Sequence, residues 1–481
     1  MSCKIKFKSC RIIGLALVLA VAAASSFAQD STAQTESRSD QCSILNSQFP
    51  SDENWELDIG QWPDFQRSIA RIEERLDRLE RPNTDVAQTT DHSRLASASL
   101  TSRSSDGFVL QSPEGDYKMQ IGLLLQADGQ FNLSDSNHQV VNTFSIGRLR
   151  PYVRGRFSRR FEFYFAPDFA GGNLSVQDAY IDTIFTPAFR LRAGKSKTPF
   201  GLELLHSDSN LLFFNRSLST SLAPNRDVGI QALGDISGGI VSYMVGVMNG
   251  VADGARGDVD MNDGKDVSGR VSVRLFTKTQ TPLKGFGIAM AGSRGRQSGT
   301  AALPSFRTVA LQQLYFSYNG VTAEGLRTRY SPQFFYYYKA FGAFGEYVHT
   351  ETPIRKAGVT TNVAHEGWQL AASYVLTGEP ATDAPAGVRP RSSFDFDSHH
   401  LGAFQLAARY HTLKINDRAF EFNLATPGSS RKAQAWTAGL NWILTGNLKY
   451  TFNFERTVFD GNAKGARKAE NAFVFRTQLY F

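Results

Sequence analysis

Residues 144–169 read FSIGRLRPYVRGRFSRRFEFYFAPDF, and their alternation decides what kind of protein this is. Arg148, Arg150, Arg154 and Arg156 share one parity, with Tyr152 between them, while Leu149, Val153 and Phe157 share the other. After Ser158-Arg159-Arg160 the apolar alternation resumes as Phe161, Phe163 and Phe165. A strand turns successive side chains to opposite faces, so four guanidinium groups stand in a row on one face and an apolar stripe on the other. In a soluble sheet the arginines meet water and the stripe meets a core. In a membrane barrel the stripe meets lipid and the arginines line a pore.

The start of the chain marks it for export and leaves the destination to the rest of the sequence. Lys4, Lys6, Lys8 and Arg11 precede an apolar run, residues 12–24, that ends before Ser26-Phe27-Ala28. That is the pattern of a secretory signal cleaved near Ala28, too short for a membrane helix of about 20 apolar residues. The signal carries four of the 52 Lys and Arg, which leaves 48 against 45 Asp and Glu. Of the three cysteines only Cys42 then remains, so no internal disulfide is expected.

Residues 29–61 are polar and aperiodic and read as a disordered segment. Within residues 62–81, Trp62, Phe65, Ile69, Ile72, Leu76 and Leu79 step by three and four, the seam of a short coiled-coil helix expected to oligomerise. Pro63 suits its start and Pro82 its end. A single docked amphipathic helix is the other reading of that seam. Residues 82–115, rich in Ser and Thr, read as a linker.

From residue 116 the period is two and remains two. Ile121, Leu123 and Leu125 oppose Gln120, Gly122 and Gln126. Trp436, Leu440 and Trp442 oppose Thr437, Gly439 and Asn441, and Tyr450, Phe452 and Phe454 oppose Thr451, Asn453 and Glu455. At roughly 20 to 25 residues per strand and connection, residues 116–481 hold about 16 strands. The expected fold is all-β, a transmembrane antiparallel β-barrel preceded by the N-terminal coiled-coil helix. The 36 Phe and 16 Tyr suit aromatic girdles at the two membrane interfaces. The last strand alternates Phe473, Phe475, Leu479 and Phe481 against Arg476, Gln478 and Tyr480, and ends on phenylalanine like the assembly signal of bacterial outer-membrane barrels.

On these stretches the chain resembles the phosphate-selective porin O and P family. The matching text is GRLRPYVRGRF (147–157), FEFYFAPDF (161–169), VQDAYI (176–181), LRAGKSKTPFGLE (191–203), FFNRSL (213–218) and PNRDVGIQ (224–231). Further on, GWQLAASYVLTGE (367–379), GAFQLAARY (402–410) and GLNWIL (439–444) fit as well. The resemblance implies a homotrimer of 16-stranded barrels in the outer membrane of a Gram-negative bacterium, with a third loop folded inward. It implies arginines along the pore and lysines at the vestibules. It places the constricting loop near residues 199–226, with Arg216 and Arg226 as constriction residues and Lys195 and Lys197 at its start.

Guanidinium suits phosphate because its forked donors are fixed and its charge permanent. Several moderate sites in series admit an ion without trapping it. Parity adds Arg190 with Arg192, Arg270 with Arg274, and Arg327 with Arg329 to the candidate pore wall; Arg409 and Arg476 also sit on polar faces. Glu162, Asp168, Asp178 and Asp182 have the parity to neutralise some of these in structural ion pairs. From Asp30 to Glu114 there are 16 acids and 8 bases, so the barrel keeps 40 Lys and Arg against 29 Asp and Glu. That excess attracts anions, and whatever part lies in loops meets lipopolysaccharide phosphates.

The sequence holds no GxSxG, HExxH, P-loop or CxxC, and it suggests no cofactor, no metal, no enzyme activity and no nucleic-acid partner. Asp258, Asp260, Asn262 and Gly264 depart from the calcium-loop spacing, and His399-His400 reads as a polar loop pair. The expected function is passive diffusion of phosphate-type anions, orthophosphate or polyphosphate. A porin for organic anions or oligosaccharides, with Phe213-Phe214 and residues 334–338 as stacking surfaces, and a structural or adhesive barrel remain the other readings.

Overall fold

The alternating stretches become long antiparallel strands that close on themselves. The computed structural model describes residues 99–481 apart from 104–106, 135–139, 173, 258–259, 261, 278 and 461–466. The signal segment, residues 29–61, the heptad helix, Cys42 and Asp258 lie outside the described residues.

The strands run β1 (Ser99–Arg103), β2 (Gly107–Gln111), β3 (Lys118–Asn132), β4 (Thr143–Phe157) and β5 (Phe161–Asp168). Next come β6 (Ser175–Thr186), β7 (Phe189–Lys197), β8 (Arg226–Ile236), β9 (Val241–Met248) and β10 (Asp266–Val273). They continue as β11 (Phe286–Gly299), β12 (Phe306–Arg307), β13 (Leu314–Phe316), β14 (Thr322–Tyr338) and β15 (Phe341–Lys356). The last are β16 (Val359–Val375), β17 (Ala403–Lys414), β18 (Lys432–Ile443), β19 (Leu448–Asp460) and β20 (Glu470–Tyr480).

Sixteen of them, β3 to β11 and β14 to β20, form the wall, each paired antiparallel with its neighbour. Closure is made by β20 on β3, from Ala472↔Asn132 to Tyr480↔Leu124. A closed sheet leaves no row of unpaired backbone groups, the condition for strands to stand in hydrocarbon. Among the described residues no helix is long and apolar enough to cross a membrane. The strands do the crossing.

The segment read as a linker, residues 82–115, contains structure: β1 and β2 form a hairpin. β2 pairs with residues 118–121 of β3, just below the stretch of β3 that β20 occupies. Leu100 and the consecutive Phe108, Val109 and Leu110 show no apolar alternation there, so the hairpin does not stand out from Ser- and Thr-rich surroundings.

The barrel is inside-out relative to a soluble core. Phe144, Ile181, Ile230, Val247, Met290, Leu370 and Trp436 stand exposed on the outer face. Gln126, Asp128, Asp178, Gln231, Arg329, Gln369, Asn441 and Arg476 are buried within. Charge on the outer face near mid-membrane costs about 2–4 kcal/mol, which explains the sorting.

The stretch that opened the sequence reading contains a break that simple alternation hides. Phe144 and Ile146 share the parity of Arg148 and Arg150, yet both are exposed, Phe144 by 78%. The register explains it: Gln126 opposes Arg148 while Ala127 opposes Ile146, so Gly147 is an extra, bulged residue. A bulge of one residue flips every side chain beyond it. Gly147 is required by space, because a Cβ there would lie 1.9 Å from Asp128 Oδ2. That carboxylate is clamped by both Arg476 Nε and Nη2 at 2.7 Å and has nowhere to go. Gly147→Ala is expected to cost about 1–3 kcal/mol by overpacking. The measurement is the temperature at which the folded barrel loses its fast migration in detergent gels, which should fall; an unchanged temperature contradicts the bulge assignment.

Short turns, residues 158–160, 187–188, 237–240, 339–340 and 444–447, lie at one end of the barrel. Longer connections, residues 198–225, 249–265, 300–321 and 415–431, lie at the other. In outer-membrane barrels short turns are periplasmic and long loops extracellular. Three connections depart from that rule: residues 274–285 and 376–402 are long and belong to the short-turn end, and residues 357–358 form a short turn at the other; the segment 376–402, between β16 and β17, is the longest at its end.

Candidate functional site

Residues 198–225, between β7 and β8, do not stay on the rim. They cross the lumen and fasten to the opposite wall. Gln333 Nε2 donates to Phe200 O at 2.8 Å, and Leu202 N donates to Glu346 Oε2 at 2.8 Å. Leu218 N reaches His411 Nδ1 at 3.1 Å, and Phe214 N reaches Asn453 Oδ1 at 2.6 Å. Gln478 Nε2 donates to Ser209 O at 2.8 Å, and Arg476 Nη1 to Phe214 O at 2.7 Å. Phe200, Leu204, Leu218 and Leu222 form an apolar core inside the barrel with Val348, Val363 and Leu413 of the wall and Phe306 and Phe316 of the small β12–β13 hairpin. The lumen is therefore filled on the β14 to β19 side and open along β3 to β8.

The open side narrows at Asp208, a loop residue ringed by cations. Arg216 Nη1 is 2.7 Å from Asp208 Oδ1, Arg226 Nη2 is 3.3 Å from Oδ2, and Arg150 Nη1 is also bound to Oδ2. Arg148 Nη2 stands 3.9 Å from Oδ1 and also binds Gln126. Arg150 Nε holds Asp168 at 2.6 Å, and Arg226 Nε holds Asp178 at 3.1 Å. Lys197 Nζ donates to His206 O at 2.6 Å. Four arginines, Arg148, Arg150, Arg216 and Arg226, thus share three carboxylates, and Lys197 stands beside them on a backbone carbonyl. Lys197 reaches this throat from the end of β7, against the parity set by Arg190 and Arg192.

Two cavities follow one another along this side, of about 660 and 520 Å³. The first lies at the short-turn end against Lys118, Arg154, Arg156, Arg190 and Arg192. The second reaches the throat at Arg150, Lys197, Asp208 and Arg226, with Arg270 beside them. Tyr164, Tyr180, Arg192, Ser207, Pro385 and Tyr480 border both.

The four acids singled out by parity all pair with arginines. Besides Asp168 and Asp178, Glu162 takes Arg156 at 2.7 Å and Asp182 takes Arg192 through two bonds of 2.7 and 2.8 Å. Arg154 donates to an amide oxygen, Gln120 Oε1 at 2.8 Å, and lies 5.7 Å from the centre of the Tyr152 ring; among the described residues neither it nor Arg190 has a carboxylate partner.

Other candidates lie elsewhere. Arg329 is fully buried on Asp253 at 2.7 Å and Asp266 at 3.0 Å, with Val251 O at 2.8 Å. Arg327, also buried, donates to Val251 O at 3.1 Å, Thr352 Oγ1 at 3.0 Å and Ala302 O. Both fasten the loops over the wall and border neither cavity. Lys195 is buried in β7. Arg409, inside the lumen but under the crossing loop, holds Glu203 at 3.1 Å. Sequence reasoning missed Asp208, Glu203, Asp253 and the 376–402 segment, since loop carboxylates carry no periodicity.

That segment also enters the lumen, from the short-turn end. Asn210 Nδ2 donates to Thr382 O at 3.1 Å and Ala384 O at 2.7 Å, and Ser209 Oγ to Pro385 O at 3.0 Å. Asp383 holds Arg274 at 3.1 Å. The two inserted segments meet beside the throat.

Burial opposes ionisation of Asp208, but Arg216, Arg148, Arg150 and Arg226 outweigh it and hold the carboxyl well below the usual Asp range. Burial pushes His206 down to about 4. A depressed carboxyl pKa contributes stability that is complete above the unfolded value of about 3.9 and is lost only as pH falls through the folded value. Between pH 7 and pH 5 the throat therefore keeps Asp208 charged and His206 neutral. The chloride-gradient reversal potential should stay flat across that range, and a shift centred near pH 6 would assign a titrating histidine to the path.

A closed barrel with an apolar outside, a polar inside and a loop folded across its lumen defines an outer-membrane diffusion channel. The family model for phosphate-selective porin O and P matches residues 119–481, and the chain belongs to that family. Among solved structures it is similar to the outer-membrane channel DcaP of Acinetobacter baumannii, at 10% identity and TM-score 0.51 over 78% of this chain and 99% of that one. It is also similar to Salmonella typhi OmpF, at 10% identity and TM-score 0.50 over 76% and 98%. At such identity these likenesses speak for the fold. No curated protein matches the chain.

Proposed function

We propose that this chain is a porin for passive diffusion of anions of the phosphate type, orthophosphate or polyphosphate, working as a trimer after cleavage of its signal near Ala28. The observation that carries the reading is the throat, where Arg148, Arg150, Arg216 and Arg226 share three carboxylates and Lys197 adds a further basic side chain on the open side of the lumen. Arg154, Arg190, Arg192 and Lys118 extend the positive wall toward the short-turn end. An anion entering there exchanges water for guanidinium donors in steps, each site sharing its charge with a carboxylate and so holding the ion only moderately.

Planar-bilayer reversal potentials in a potassium chloride gradient test this, and cation preference overturns it. The pairing pattern makes the test sharper. Arg154→Gln with Arg190→Gln removes two charges that no carboxylate among the described residues pairs with, so the chloride-to-potassium permeability ratio should fall by roughly half or more. Arg156→Gln with Glu162→Gln removes a matched pair and should leave the ratio near its original value.

A further inference from the structure

The first cavity carries a feature that a path for bare inorganic ions does not use: a row of tyrosines around its wall. Tyr480 of β20 and Tyr152 of β4 have ring centroids 6.0 Å apart at 28°. Tyr152 and Tyr164 of β5 are 5.8 Å apart at 37°, and Tyr164 and Tyr180 of β6 are 5.7 Å apart at 36°. The guanidinium of Arg192 on β7 lies 3.8 Å from the centre of Tyr180 and ends the row. β3, which stands between β20 and β4, contributes Gly122, where any Cβ would lie 2.3 Å from Tyr152 Cζ. Tyr152 thus lies down across β3 and donates its hydroxyl to Phe481 O at 2.7 Å.

These rings face the lumen, since Tyr164, Tyr180 and Tyr480 border both cavities; a membrane girdle needs rings on the outside. An aromatic face is the negative side of the ring quadrupole. A naked chloride or phosphate gains nothing from it. A ligand that is anionic at one end and flat at the other uses both parts of this wall, its charge on Arg154 and Arg190 and its ring on the tyrosines.

We infer that the vestibule at the short-turn end is a binding site for organic anions that carry a flat ring, with aryl phosphates and aryl carboxylates as the simplest cases. The site rests on the anion-path reading and extends its substrate class.

The test compares phenyl phosphate with methyl phosphate, equal in charge, as blockers of chloride current through the purified protein in planar bilayers. Phenyl phosphate should block at a concentration roughly five- to tenfold lower, the range of one aromatic contact. Tyr164→Leu and, separately, Tyr180→Leu should abolish that preference while leaving the block by methyl phosphate in place, and Tyr164→Phe should retain it. Equal block by both esters in the unmodified protein overturns the proposal, with no variant needed. A preference that survives both leucine substitutions overturns it as well. The chloride-to-potassium reversal potential is read separately, so failure of the anion path itself is seen there and not in the ester ratio.

Discussion

Replacing Asp208 by Asn should turn the throat from a passage into a trap for phosphate. The carboxylate now occupies the place that a permeating anion would take: Arg150, Arg216 and Arg226 all bind it, and Arg148 stands nearby. It is an internal competitor, ionised down to low pH because the four guanidinium groups outweigh its burial. Asparagine keeps the volume and removes the charge, leaving Arg148 and Arg216 without a carboxylate. Arg150 and Arg226 keep Asp168 and Asp178. Phosphate should then block chloride current at a concentration lower by roughly tenfold or more, because charge-assisted guanidinium–phosphate bonds no longer compete with a fixed acceptor. Loss of one partner from a buried ion cluster also typically costs about 3–5 kcal/mol, so the crossing loop should become easier to cleave by protease without phosphate and recover protection with it. An unaltered phosphate block in the variant would mean that ions pass elsewhere.

The same cluster shows what alternation reveals and what it conceals. The barrel, its polar interior and the row of arginines were legible because strand periodicity is local and repeats in stretch after stretch. The pairing of Glu162, Asp168 and Asp182 was legible too, since lumen parity on adjacent strands limits the partners, whereas Asp178 of β6 reaches past β7 to Arg226 of β8. Three kinds of information were not. The bulge at Gly147 reverses parity within the stretch, so Phe144 and Ile146 share the arginine parity and yet face outward. Lys197, at the end of β7, reaches the lumen on the opposite parity. Asp208 and Asp253 sit on loops, where contacts are set by how far the loop reaches across the barrel. Arg327 and Arg329 looked like pore wall by alternation, and only the fold places Val251, Asp253 and Ala302 over them.

The largest change in the size of the pore should follow from shortening the segment that enters from the short-turn end. Strand counting alone shows that residues 376–402 join β16 to β17 where neighbouring connections are short turns. Its base is anchored by an apolar cluster of Ala381, Val388, Ala340, Val375, Ala403 and Ile443. Its tip reaches Ser209 and Asn210 of the crossing loop, and Pro385 borders both cavities. Replacing residues 382–387 by two glycines removes the tip and leaves the anchoring residues in place. Pore dimension and lining set passage, so single-channel conductance should rise roughly twofold. The variant also loses Asp383, the partner of Arg274 at 3.1 Å, which adds an unbalanced cation near the entrance. Anion preference should therefore hold or increase as conductance grows. Widening with loss of anion preference would contradict this charge assignment, since Asp383 is the one charged residue removed, and no widening would take the tip out of the ion path and leave the restriction to the throat at Asp208.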